Sequence, residues 1–210
     1  MKTLAILGSA DLGQQIAHYA ISDNHYDEVI FFDDFNSDKN IHGFQIVGGS
    51  DTILTSFNDG IFHELIIAIG YKHLNKKKEV YEYFIQHNIP FGKIIHSSAW
   101  VDNSAKIEQG SVIYPGCVID SKAVISANTI LNVGCTIAHD TVIGKHSFLS
   151  PRVAIAGFVK VGEQCVIGIN STLIDNIEIA DRTQIGGGTV VISSITSSGL
   201  YVGNPHRFIR

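Results

Sequence analysis

Two different rhythms of apolar and polar residues divide the chain. From Val101 to Val191, every sixth residue is aliphatic: Val101, Ile107, Ile113, Ile119, Ile125, Leu131, Ile137, Ile143, Leu149, Ile155, Val161, Ile167, Leu173, Ile179, Ile185 and Val191. Four positions after each stands a small or β-branched residue, from Ala105, Ser111 and Cys117 through to Thr189 and Ile195. Neither a helical period of 3.6 nor strand alternation of 2 generates a strict six. A hexapeptide period predicts a parallel β-helix. Three hexapeptides make one turn, so residues eighteen apart stack at about the 4.8 Å strand spacing. The repeat runs without a gap, so no long loop interrupts the coils.

Before the repeat, apolar runs alternate with helical spacing. Thr3–Leu7 ends at Gly8 and reads as a buried strand. Asp11–Ser22 is amphipathic at helical period, with Leu12, Ile16, Tyr19 and Ala20 on or near one face. Glu28–Phe32 and Glu64–Ile69 read as further strands, Asn75–His87 as a helix facing inward through Val80, Phe84 and Ile85, and Phe91–His96 as a fourth strand. Such alternation predicts a small Rossmann-like parallel sheet, with ligands at the carboxyl ends of its strands. The expected organisation is an α/β domain over residues 1–98, a β-helix over 99–195 and a tail over 196–210.

Charge agrees with a change of grammar near residue 98. Residues 1–98 hold 7 Lys/Arg against 12 Asp/Glu, and residues 99–210 hold 8 against 8, so the whole net charge of −5 lies in the first part. No basic block marks a nucleic-acid surface. The run Lys76-Lys77-Lys78 reads as a solvated helix face. No apolar stretch reaches the ~18 residues of a membrane span, and the first residues carry no signal-peptide pattern. The three Cys, at 117, 135 and 165, fall in the small-residue column and read as buried fillers. A cytoplasmic protein is expected.

Among outward positions of the repeat, His139 and His146 stand out. A carboxylate, Asp140, follows His139, and Gly157 lies eighteen residues on, so open space is expected beside the imidazole. Metal binding is disfavoured, because Asn128 and Gln164, not His, flank His146 one coil away. An ice-binding surface is disfavoured too, because no face carries a regular Thr ladder.

The combination resembles the sugar O- and N-acyltransferases of the sialic-acid O-acetyltransferase type. It is most similar to the bacterial subgroup that acetylates nucleotide-linked 4-amino-4,6-dideoxy sugars. The supporting segments are Leu4–Gly13 (LAILGSADLG), Phe31–Asp34 (FFDD), Ile67–Gly70 (IAIG), Asn132–Gly144 (NVGCTIAHDTVIG), Gly168–Ser171 (GINS), Gly186–Gly188 (GGG) and Val202–Arg207 (VGNPHR). The resemblance implies a left-handed β-helix, a homotrimer, acetyl-CoA as co-substrate and no metal. It implies His139 as catalytic base, Asp140 as the group that orients it, and Asn132 lining the same site. Coenzyme A is implied near Gly157, Ile169 and Gly187. A second coenzyme A-holding His of some members is Phe148 here, leaving His146 as a replacement. Gly8, Gly13, Asp33, Asp34 and Gly70 are implied as nucleotide-sugar contacts, although the loop Gly8-Ser9-Ala10-Asp11-Leu12-Gly13 lacks the family's third Gly and following His, and Asp11 opposes an anion.

The implied reaction is direct attack of a 4-amino group on the thioester, with a positioned base contributing typically 10²–10⁴-fold. O-acetylation of sialic acid or a related free sugar is the alternative. A non-catalytic sugar-nucleotide-binding protein is the third reading.

Overall fold

The computed structural model describes residues 1–210. The chain divides into two compact units, Met1–Ile94 and Ile95–Arg210.

In the first unit the strands are β1 (Thr3–Leu7), β2 (Glu28–Phe32), β3 (Asn40–Ile41), β4 (Phe44–Gly48) and β5 (Glu64–Ile67), with helices α1 (Asp11–Ser22), α2 (Ile53–Asn58) and α3 (Leu74–Gln86). The sheet order is β3-β4-β2-β1-β5. Four strands are parallel, and β3 alone runs antiparallel at the edge. All five residues of β1 are buried, as expected for a strand covered on both faces.

The structure departs from the sequence pattern at two elements and adds a third. The added element is the hairpin β3–β4, which turns through His42 and Gly43, both at positive φ, the combination a two-residue hairpin loop favours. Phe91 makes only an isolated bridge to Leu65, so Phe91–His96 is not a fourth strand of this sheet. The Lys76–Lys78 run is not uniformly solvated. Lys77 is 0% exposed and shares the inward stripe of α3 with Leu74, Tyr81 and Phe84. Burial holds its ammonium down to about 7.

The second unit is a parallel β-helix of two-residue strands. One face stacks Trp100–Val101, Val118–Ile119, Thr136–Ile137, Ala154–Ile155, Thr172–Leu173 and Val190–Val191. A second stacks Lys106–Ile107, Val124–Ile125, Val142–Ile143, Lys160–Val161 and Glu178–Ile179. The third carries Val112–Ile113, Ile130–Leu131, Phe148–Leu149, Val166–Ile167 and Gln184–Ile185, and is extended by Leu200–Val202. Strand partners along each face are eighteen residues apart, as in Val118↔Thr136 and Thr136↔Ala154.

The aliphatic member of each hexapeptide ends its strand and points inward; all from Ile113 onward are buried. Each such side chain contributes roughly 1.5–3 kcal/mol by leaving water. The small-residue column has a second logic. Its hydroxyls and thiols donate to a carbonyl fifteen residues on: Ser111 to Ser126, Thr129 to Gly144, Thr141 to Ala156, Ser147 to Gly162 and Ser171 to Gly186. Cys117, Cys135 and Cys165 make the same contact, to Asn132, Ser150 and Ala180. All three thiols are buried and unpaired in disulfides, so sulfur here replaces a buried hydroxyl without leaving a polar group unsatisfied.

Every edge of the prism turns through a left-handed residue. Gly110, Gly116, Lys122, Asn128, Gly134, Asp140, His146, Arg152, Phe158, Gln164, Asn170, Asn176, Arg182 and Gly188 all have φ between 55° and 74°. The edge therefore presents the preceding residue outward at the same place on each coil.

Candidate active site

In the β-helix, His139 occupies the outward place on the edge between the first and second faces. Its side chain is 46% exposed. Asp140, the left-handed corner residue, turns its carboxylate back, and Oδ2 lies 3.1 Å from His139 Nδ1. Lys122, one coil earlier, approaches Asp140 Oδ1 at 3.9 Å. Phe158 packs its ring against the imidazole at 5.1 Å between centroids, nearly perpendicular.

Gly157 lies under this ring. A Cβ there would come within 2.7 Å of His139 Cε1 and 2.8 Å of Nε2. The space beside Gly157 is thus filled by the imidazole itself, which corrects the expectation that it stands open to a ligand. The glycine makes room for the histidine.

The other β-helix candidates lie elsewhere in the chain. Asn132, Ile169 and Gly187 occupy the edge between the third and first faces, across the first face from His139. Asn132 Oδ1 accepts the Val133 N–H at 2.7 Å, and Ile169 packs over Gly187. His146 lies on the remaining edge, is 2% exposed, and places Nδ1 3.0 Å from the Asn128 amide nitrogen. One chain therefore brings together His139, Asp140 and Gly157, but not Asn132, His146, Ile169 or Gly187. No three His, Cys, Asp or Glu side chains converge as metal ligands.

In the first unit, the candidate residues gather at the carboxyl ends of β1, β2 and β5. Gly8, at φ 106°, receives a close approach from the Ala68 carbonyl, which would lie 3.1 Å from a Cβ there. Gly13 admits the turn of α1 against the loop; a Cβ on it would fall 1.9 Å from the Gly8 oxygen. Gly70 follows β5 with open space around it.

The two aspartates hold loops on either side of β2. Asp33 Oδ2 accepts the Ser9 N–H and hydroxyl, each at 2.7 Å, and Oδ1 accepts the N–H groups of Phe35 and Asn36 at 2.9 and 3.0 Å. Burial opposes ionisation of Asp33, but these hydrogen bonds outweigh it and hold its carboxyl below the usual range. Asp34 accepts the Ser50 N–H at 2.6 Å and its hydroxyl at 2.9 Å. Asp33 thus ties down the loop after β1, and Asp34 the loop after β4. Ser9, Phe35 and Asn36, which the motif reading passed over, complete this arrangement, with Asn36 Nδ2 donating to Ser9 Oγ at 3.1 Å. The available signal was the position of Ser9 inside the glycine loop.

A Rossmann-like unit followed by a hexapeptide β-helix is also the two-part fold of solved acetyltransferases. Residues 3–84 match the model of the PglD N-terminal domain family. No curated protein matches the chain in sequence. Among solved structures, the chain is 25% identical to the acetyltransferase domain of PglB from Neisseria gonorrhoeae FA1090, described in complex with acetyl coenzyme A, over 99% of both chains and with a TM-score of 0.91. It is also 25% identical to PerB from Caulobacter crescentus, described in complex with CoA and GDP-perosamine, over 100% of this chain and 98% of that one, with a TM-score of 0.90. WeeI from Acinetobacter baumannii AYE shares the fold at 18% identity, with full coverage of both chains and a TM-score of 0.85.

Proposed function

We propose that the protein is an acetyl-CoA-dependent N-acetyltransferase acting on the 4-amino group of a nucleotide-linked 4-amino-4,6-dideoxyhexose. The observation that carries this reading is the His139–Asp140 pair seated over Gly157 on an exposed β-helix edge. The likeness to PglB with acetyl coenzyme A and PerB with GDP-perosamine supports it.

With Nδ1 held toward the Asp140 carboxylate, His139 keeps its proton on Nδ1 and its lone pair on Nε2. The substrate amine attacks the thioester carbonyl carbon, and Nε2 takes the amine proton. The tetrahedral intermediate collapses with cleavage of the C–S bond. The leaving thiolate takes the proton from the imidazolium, giving the amide and free coenzyme A. Asp140 stabilises the transient positive charge. In this scheme the first unit binds the nucleotide and the β-helix carries out acyl transfer.

We further propose a homotrimer with sites completed by neighbouring chains. Two features support it. The outward residues of the first β-helix face, Trp100, Val118, Thr136, Ala154, Thr172 and Val190, carry no charge, whereas the second face presents Lys106, Lys160 and Glu178. The proposed coenzyme A and substrate contacts also flank that uncharged face, His139 and Gly157 on one edge and Asn132, Ile169 and Gly187 on the other. Closed cyclic assembly of such a face is common. Three unpaired thiols fit a reducing, cytoplasmic setting.

The test is thiol release from acetyl-CoA with UDP-, dTDP- and GDP-linked amino sugars, beside free sialic acid, with His139→Ala as control. Release with a nucleotide amino sugar, lost in His139→Ala, is expected. Release with sialic acid alone would replace this reading by O-acetylation.

A further inference from the structure

Phe35 is the most exposed large apolar side chain in the molecule, at 98%. It directly follows Asp33 and Asp34, just beyond β2, whose last residues Phe31 and Phe32 are buried. Exposure of this kind usually accompanies a loose loop, yet the backbone here is fixed. The Phe35 N–H donates to Asp33 Oδ1 at 2.9 Å, the Asn36 N–H donates to the same oxygen at 3.0 Å, and the Asp38 N–H donates to Asn36 Oδ1 at 2.9 Å. Asp33 and Asp34 simultaneously bind the loops on both sides, through Ser9 and Ser50.

These bonds change what the crevice offers a ligand. Dinucleotide-binding folds use an acid near this point to accept ribose hydroxyls. Here both Asp33 oxygens and both Asp34 oxygens already accept bonds from the chain. The Ser9 N–H, which a glycine loop would offer to a phosphate, is also taken. The Asp34 carboxylate stays exposed with a single bond on each oxygen, and beside it stands an aromatic ring on an anchored backbone.

We propose that Phe35 is the stacking platform for the nucleobase of the nucleotide-linked sugar, and that the network of Asp33, Ser9 and Asn36 positions it. This rests on the reading of the protein as a nucleotide-sugar acetyltransferase. Stacking suits every base, since each has a π-face. Phe35 therefore sets affinity for the nucleotide, and choice among bases falls to other groups.

The experiment compares wild type with Phe35→Ala, Phe35→Leu and Phe35→Trp, by steady-state kinetics and by calorimetric titration with GDP, UDP and dTDP. Loss of stacking weakens binding by about tenfold or more. The expected result is a KM for the nucleotide sugar raised by that factor in the Ala and Leu variants, with kcat and the KM for acetyl-CoA unchanged. Recovery is expected in Phe35→Trp. Wild-type KM in Phe35→Ala or Phe35→Leu overturns the proposal while leaving the enzymatic reading intact. A changed oligomeric mass in Phe35→Ala, with binding unchanged, overturns it in favour of a protein contact. If the wild type acetylates no nucleotide sugar, the functional reading fails, and calorimetry still decides Phe35. Nucleoside diphosphate binding that is absent in wild type, or equal in Phe35→Ala, overturns the platform.

Discussion

The imidazole of His139 lies against the bare Cα of Gly157, one coil further along the β-helix. Two residues eighteen apart in sequence thus form one unit: the first supplies the ring, and the second supplies the floor on which it rests. Replacing Gly157 by Ala inserts a methyl within 2.7 Å of the ring, so the ring must move. The β-helix core is untouched, because Gly157 points outward. Phe158 and Asp140 close two other sides, so the ring has few places to go. A displacement near 1 Å at a reacting group costs on the order of 10²-fold. Gly157→Ala is expected to lower kcat by about 10–100-fold while circular dichroism and Tm stay near wild type. Unchanged kcat would show that the ring's position is unimportant.

Asp140 tests the tautomer. Asp140→Asn keeps the shape but removes the negative charge and replaces one acceptor oxygen by an NH2 donor, so the proposed selection of the Nδ1–H form and stabilisation of the imidazolium are weakened. The pair is partly exposed, so solvent offsets some of the loss. A fall in kcat on the order of 10-fold is expected, smaller than the 10²–10⁴ expected for His139→Ala. The steady-state comparison of the two variants is the check; an Asn variant as active as wild type would remove Asp140 from the mechanism.

Asp33 links acidity to the order of the first unit. A carboxyl that ionises more readily in the folded chain adds stability above its unfolded pKa, about 3.9. That contribution fades as pH falls through the lower folded value. Asp33→Asn is expected to lower the Tm at pH 7, and the gap to wild type should narrow as the pH is taken below about 4. A constant gap across pH 3–7 would show that the charge of Asp33 does not matter.

Lys77 gives a linkage on the alkaline side. Its folded value of about 7 lies below the unfolded value, so the unfolded chain holds the extra proton between about pH 7 and 10.4. Stability from this group therefore rises with pH across that window and is flat below it. Lys77→Met should flatten this rise relative to wild type, by roughly 2–4 kcal/mol between pH 7 and pH 10. Urea unfolding at both pH values measures the difference; parallel slopes in wild type and variant would refute it.

The thiols make a simple probe. Burial pushes the Cys165 thiol up to about 11, and all three Cys are 0% exposed. A thiol reagent at pH 8 is expected to label no cysteine in the native protein and three after denaturation. Rapid native labelling would mean that the coils open locally.

The β-helix was legible in the sequence because its two columns repeat at a fixed interval and each obeys one rule, aliphatic or small. The left-handed corners were visible only as scattered Gly and Asn, since Lys122, His146, Arg152 and Phe158 adopt the same conformation and hide the column. His139 and Asp140 stood out because a paired acid and imidazole interrupt an otherwise simple surface. The first unit is less legible. Lys77 belongs to a run of three like residues, and composition alone does not show which turns inward; the phase of Leu74, Tyr81 and Phe84 does. Asp33 and Asp34 are visible in the sequence as polar groups at a strand end. Their occupation by Ser9 and Ser50 depends on loops brought together by the sheet order, which local pattern does not encode.

The uninterrupted stacking of the coils fixes how this protein can change in length. A single inserted or deleted residue after Val101 would move every later aliphatic side chain out of its column, so the damage would spread to the end of the chain instead of staying local. Removing or adding eighteen residues would shift the structure beyond that point by one rung of about 4.8 Å and leave every column intact. The β-helix is in this sense a ladder graduated in whole coils, and the spacing between its functional groups can be lengthened only one rung at a time.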